Sequence, residues 1–344
     1  VRKTSRALPA GRFRTDTLFM SATWNPWSPL PPLPRAFPLT PAVLAELLDG
    51  GQAFRWNALP DGTFEGGWAG HHVRVRLAPD ADRTGALEFA APAGADPAAA
   101  ATALHAYLAG PPADEDALPW RSDPHLAACL AAHPGLRILR QPFGETLLGF
   151  VCSATKQIVQ IKRMLELVAA RHGRPVGDAA ATGAATNAAT TWHRLPTWPE
   201  LAGVSEESLR ACGLGFRARH VAGIARRLAA EPGWLAATEH APYAEAKARL
   251  LELPGVGEKV ADCVLLFGAG RLEAFPVDTW ILKAMARRYG LADWRPEQVA
   301  HFGRMHFGAQ AGLAQQYLFA FERAAGRTGP GPADRASLGL RNAG

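Results

Sequence analysis

The sequence predicts an α+β fold, mostly α-helical, with a small N-terminal antiparallel β-sheet domain followed by a helical domain. Three observations predict it. In "VRVRL" at 73–77, Val73, Val75 and Leu77 share one face and Arg74 and Arg76 the other, the period-2 pattern of a half-buried strand. From about residue 123 the apolar spacing becomes helical almost to the end. Within that helical run, "LPGVGEKVADC" at 253–263 sets a proline and two glycines between two helical segments, which reads as helix, tight hairpin, helix.

In chain order, residues 1–35 read as a disordered basic and Pro-rich leader. They carry Arg2, Lys3, Arg6, Arg12, Arg14 and Arg35 against Asp16, a net of +5 out of the chain's +6, so the body is nearly neutral. Met20 is a candidate start, and an organellar transit peptide is an alternative reading of the leader. Residues 36–120 are expected to form the β domain, punctuated by "LPDG" and "APAGADP" and closed by an Ala-rich helix at about 97–109 and the acidic loop "DEDALP". Residues 121–326 form the helical domain, with the hairpin at about 242–269, a flexible insertion at about 172–191 and a disordered tail at 327–344. No run of about 18 apolar residues suggests a membrane span. Cys129, Cys152, Cys212 and Cys263 are too far apart for a metal or disulfide framework, so no cofactor is expected and a reducing cytoplasm fits.

The hairpin carries the first chemistry. Gly255, Val256 and Gly257 open a helix with backbone N–H groups that no Cβ shields, a geometry that suits a phosphate and equally serves ordinary packing. Lys259 stands in the first turn of that helix, where the dipole and burial beside Val260 and Cys263 both disfavour its ammonium form, as a nucleophilic amine requires. In "FPVDTWILKAMARRYG" at 275–290, Asp278 is placed to cap a helix, and a capping carboxylate is expected to stay ionised. An amine that attacks and a carboxylate that stabilises a cation are the parts needed to cut a glycosidic bond.

On these motifs, together with "GGQAFRW" at 50–56, "GLRILRQPFGETLLGFVCS" at 135–153, "CGLGFRARHV" at 212–221 and "AGLAQQYLF" at 311–319, the chain resembles the helix-hairpin-helix DNA glycosylases of the endonuclease III superfamily. Within them it resembles the eukaryotic-type 8-oxoguanine DNA glycosylase/AP lyases, from about Leu47 to Glu322. The resemblance implies that Lys259 attacks C1′ and forms a Schiff base while Asp278 stabilises the sugar cation. It implies that the Gly51 carbonyl accepts the N7 proton of 8-oxoguanine, that Gln315 reads the Watson–Crick edge, and that Phe319 and Cys263 wall the flipped base. Phe216 becomes a wedge into the duplex and Arg217 a contact to the orphaned partner base.

Departures from the family are equally specific. Thr155 and Gln160 stand where an asparagine and an arginine are usual, and Trp280 where a histidine is usual, which bears on opposite-base reading and phosphate contacts. The expected partner is double-stranded DNA holding a damaged purine, bound by a monomer in the cytoplasm, at the nucleoid in a bacterium, with no membrane role. Two other readings stand beside this one: an alkylpurine glycosylase of the 3-methyladenine type, and a non-catalytic damaged-DNA binder.

Overall fold

The computed structural model describes residues 23–34, 39–79, 85–176 and 191–328. Most of the leader, residues 177–190 of the insertion expected at about 172–191, and residues 329–344 of the tail expected from 327 lie outside the described residues.

The N-terminal part is a five-stranded antiparallel sheet in the order β1-β5-β4-β3-β2. Its strands are β1 (Ser28–Pro29), β2 (Trp56–Ala58), β3 (Phe64–Trp68), β4 (His71–Leu77) and β5 (Leu87–Ala90). Val73 and Val75 of β4 are fully buried, as their alternation predicts. One expectation is corrected. The folded part begins before Arg35, because Ser28 and Pro29 pair with Phe89 and Glu88 at the sheet edge. An edge strand tolerates proline, since its outward N–H has no ladder partner to lose. Upstream, Trp24 and Trp27 lie under the guanidinium groups of Arg74 and Arg76, at 4.4 and 4.0 Å. The polar face of β4 is therefore covered by the segment assigned to the leader.

Helix α1 (Pro41–Asp49) is capped by Thr40, whose hydroxyl accepts from the Val43 N–H at 3.2 Å. Helix α2 (Pro97–Ala109) starts at the Asp96 cap, and its bounds match the predicted Ala-rich helix. The body follows with α3 (Pro124–Ala132), α4 (Phe143–Ser153), α5 (Ile158–His172), α6 (Trp198–Ala202), α7 (Glu206–Leu209), α8 (Arg217–Ala230) and α9 (Trp234–His240). It ends with α10 (Tyr243–Leu251), α11 (Glu258–Ala269), α12 (Thr279–Tyr289), α13 (Pro296–Phe307) and α14 (Ala311–Thr328). No helix among the described residues is long and apolar enough to cross a membrane.

Two packings position the site. Helices α4 and α11 lie against each other, with Phe150 stacked on Phe267 at 5.5 Å and Gly268 seated against Phe143 and Thr146, where an added Cβ would come within 3.0 Å of the Phe143 ring. Helix α14 packs on α12. The hairpin between α10 and α11 is fixed from behind: buried Asp262 accepts from Tyr243 Oη at 2.7 Å and pairs with Lys247 Nζ at 2.9 Å, which also reaches Glu258 at 2.7 Å. Two successive helices are thereby tied side by side around one lysine.

Candidate active site

At the junction of α4, α5, α11, α12 and α14, beside the loop that follows α1, lies a cavity of about 400 Å³. That is within the range of about 300–1,000 Å³ typical of small-molecule sites. Lys259, Asp278, Gly51, Cys263, Gln315, Phe319 and Trp280 all line it. With Phe150 and Ser153, five of the six quoted motifs thus converge on one space, and no residue of "CGLGFRARHV" lines it.

Each group is placed by its element. Gly257 is the N-cap of α11 and no side chain caps that end, so Lys259 enters the first turn half-buried with its Nζ 5.1 Å from the centre of the Phe150 ring. Gly255 turns the hairpin at φ +79°, and a Cβ there would come 2.2 Å from the Nδ1 of His220. Val256 is buried beneath the turn, whereas Gly257 faces open space. Asp278 is the N-cap of α12, as expected: its Oδ1 accepts from the N–H groups of Trp280 and Ile281 at 3.0 and 2.9 Å. Its charge state is less simple than a cap implies. Burial pushes the Asp278 carboxyl above its ordinary value, against the opposing pull of the helix N–H groups and of Lys259.

The walls are contrasting. The buried Cys263 thiol is pushed up to about 12 by its burial, so it presents a neutral sulfur to the cavity. Phe319 is the half-buried face on α14, not a core residue. Gly51 has φ +112°, and a Cβ there would meet Ile158 Cδ1 at 3.1 Å and Phe319 Cζ at 3.9 Å, so both the backbone conformation and the tight space beside Ile158 favour glycine. Gln315 is buried and already engaged: its amide N–H donates to the Pro276 carbonyl at 3.1 Å and its Oε1 accepts from Gln316 at 2.7 Å. Trp280 packs its ring over Gly326 of α14, where a Cβ would come within 2.6 Å.

The residues expected to meet the partner strand fall into two groups. Phe216 is 46% exposed, as a wedge requires. Arg217 is buried in the structure without DNA, with hydrogen bonds to the carbonyls of Leu214 and Ala154 and to the Thr155 hydroxyl, so it braces the turn before α5. Its position explains the burial, because Arg217 shares the buried face of α8 with Val221, Ile224 and Leu228. Thr155 holds φ +56°, an uncommon conformation for a β-branched residue, with its hydroxyl taken by Arg217. Gln160 sits in the first turn of α5, where its Oε1 accepts from the Gln157 N–H at 3.2 Å. Sequence reasoning missed Phe150, Lys156, Gln157, Ile158 and Arg323, which also line the cavity. Phe150 stood in the quoted "LLGFVCS", but nothing in its spacing separated it from core.

Among proteins of known function, the chain is 31% identical over 315 residues to the N-glycosylase/DNA lyase OGG1 of Arabidopsis thaliana, a match covering 86% of this chain and 82% of that protein. It is 32% identical over 233 residues to the probable N-glycosylase/DNA lyase of Methanothermobacter thermautotrophicus, covering 62% and 71%. Among solved structures, the 8-oxoguanine glycosylase/lyase of Clostridium acetobutylicum, in complex with double-stranded DNA containing cytosine opposite 8-oxoG, superposes with a TM-score of 0.72 at 27% identity over 84% of this chain and 93% of that one. The 3-methyladenine DNA-glycosylase of Archaeoglobus fulgidus shares the fold, with a TM-score of 0.62 at 20% identity, 85% of this chain and 98% of that one. No protein-family profile matches the chain. By its identity to the plant enzyme over most of both chains, and by a matching fold, the chain belongs to the OGG1 family of N-glycosylase/DNA lyases within the helix-hairpin-helix superfamily.

Proposed function

We propose that this chain excises 8-oxoguanine from duplex DNA and then cleaves the abasic strand by β-elimination. The observation that carries this is the placement of Lys259 and Asp278 on the same cavity as Gly51, Cys263, Gln315 and Phe319. A base inside a duplex cannot reach such a space, so the damaged nucleotide must be flipped out.

In this reading the purine stacks between Phe319 and Cys263. Its N7–H donates to the Gly51 carbonyl, where guanine would present a lone pair against the same oxygen. Gln315 gives up one of its internal partners to bond the Watson–Crick edge. Nζ of Lys259, as the free amine, attacks C1′ while the C1′–N9 bond breaks and the base leaves with the bonding pair. Positive charge develops on the sugar, and the Asp278 carboxylate, fixed by two helix N–H groups, stabilises it. The ammonium so formed at Nζ passes one proton to the departing base, and its second proton passes to O4′ as the C1′–O4′ bond opens, which leaves the imine. Loss of a C2′ proton then expels the 3′ phosphate. The open hairpin at Gly255, Val256 and Gly257 supports phosphate binding, and Phe216 supports a role in filling the space the base leaves. The proposed species is a monomer acting on chromosomal DNA in the cytoplasm, at the nucleoid in a bacterium.

Borohydride reduction tests the reading, because it traps an enzyme–DNA imine and leaves a hydrolytic glycosylase without an adduct. The wild-type chain should give a covalent adduct with duplex holding 8-oxoguanine, and Lys259→Gln should give none while still binding that duplex. Undiminished trapping by Lys259→Gln would move the chemistry to another amine. Excision without any adduct would favour a glycosylase that relies on its carboxylate alone.

A further inference from the structure

Two side chains 277 residues apart meet behind the base-binding wall. Glu46 of α1 accepts from Arg323 of α14 at 2.6 Å, and both side chains are largely buried, at 8% and 14% exposure. The carboxylate folds over Gly50, where an added Cβ would come 2.5 Å from its Oε1, so it is packed one residue before Gly51. On the other side, the Arg323 guanidinium lies 5.9 Å from the centre of the Phe319 ring and itself reaches the cavity. The Nε of Arg323 is buried with no hydrogen-bond partner among the described residues, which leaves the Glu46 carboxylate as the anchor that holds the group back.

The pair therefore connects the two carriers of base recognition. The C-terminal end of α1 presents Gly51, and α14 presents Gln315 and Phe319. The gap between Gly51 and Phe319 is already at contact distance for one extra carbon, so small sliding of α14 past α1 changes what fits.

We propose that Glu46 and Arg323 are positioning residues for the damaged base: their ion pair sets the separation of α1 and α14 and keeps the guanidinium out of the space the base occupies. The proposal rests on the excision reading above. It assigns no contact with Lys259 or Asp278, so it separates the two activities of the site. Base excision needs the base stacked on Phe319 with its N7 edge at Gly51, whereas cleavage of a preformed abasic site needs only the lysine and the strand.

The experiment compares the full-length chain with Glu46→Gln and Glu46→Asp on two duplexes, one with 8-oxoguanine opposite cytosine and one with a preformed abasic site. Single-turnover excision by Glu46→Gln should fall about tenfold or more, because misplacement on the ångström scale carries penalties of that order. Abasic-site cleavage should stay within about twofold. Glu46→Asp keeps the charge and shortens the reach by one methylene, so its excision rate should lie between the two; it also serves if Glu46→Gln does not fold. Parallel loss of both activities, or unchanged excision in both variants, overturns the proposal. A wild-type chain that cleaves abasic sites but excises no 8-oxoguanine refutes the function assigned above and the positioning role with it.

Discussion

Replacing Asp278 by asparagine pits the cap against the charge. Oδ1 of Asp278 accepts from the N–H groups of Trp280 and Ile281 at 3.0 and 2.9 Å, and an asparagine carbonyl can accept the same two bonds. Asparagine and aspartate are nearly equal at this helix position, whereas alanine there costs about 0.5–2 kcal/mol. Burial raises the carboxyl above its ordinary 3.8, so the folded chain binds that proton more tightly than the unfolded chain does. The linkage then has a definite sign. Stability from this group is fully present below the ordinary value and is lost as pH rises through the raised folded value. At neutral pH the wild type carries that loss and Asp278→Asn does not, so the variant should be at least as stable as wild type there, with the difference vanishing in acid. Activity should move the opposite way. Removing one preorganised electrostatic group costs roughly 10²–10³ in rate, about 2.7–4 kcal/mol. Single-turnover excision at saturating enzyme, beside denaturation curves across pH for wild type, Asp278→Asn and Asp278→Ala, checks both arms. An asparagine variant that keeps the wild-type rate removes Asp278 from the chemistry. One that loses rate and stability together makes the residue a structural cap.

Three further outcomes follow from the same geometry. Arg217→Met should lower stability by roughly 1–3 kcal/mol by leaving the Leu214 and Ala154 carbonyls without their donor; unchanged denaturation with weakened DNA binding would instead put Arg217 on the DNA. Gln315→Ala should weaken discrimination among purine lesions while the salt dependence of duplex binding stays the same, because that slope counts phosphate contacts and not base contacts. With Arg217 turned inward and the Thr155 hydroxyl already engaged, the preference for lesions opposite cytosine over adenine should stay below about a thousandfold, each base contact supplying roughly 1–3 kcal/mol. Single-turnover excision opposite each of the four bases measures it.

What was legible in the sequence was mostly local. The Ala-rich helix, the alternating strand at 73–77 and the Asp278 cap each depend on a few neighbouring residues, and each stands where it was expected. The inward turn of Arg217 was not foreseen, because "GFRARH" looks basic at a glance. Its spacing to Val221, Ile224 and Leu228 carried the correct signal, since positions four, seven and eleven residues on share one helix face. The early start of the sheet was hidden because prolines in "WNPWSPLPP" suppress the strand pattern, while the arginines that cover the tryptophans lie about fifty residues away. Glu46 and Arg323 were invisible for the same reason at larger range. No local period links two charges 277 residues apart.

The missing Cβ of Gly255 has a mechanical consequence. His220 fills that space, and its ring lies edge-on to Phe216 with centroids 6.0 Å apart, so the hairpin turn and the aromatic proposed as the wedge are geared together through one imidazole. Two tools fixed at a constant gauge cannot accommodate a straight duplex by flexing between themselves, and the elastic cost of fitting falls on the DNA. That cost depends on which base steps must unstack: pyrimidine–purine steps such as TA and CA yield readily, and stiff A-tracts do not. A lesion flanked by a pliant step is thus cheaper to extrude than the same lesion in a rigid run, and the neighbourhood of a damaged base enters the rate without any side chain touching it.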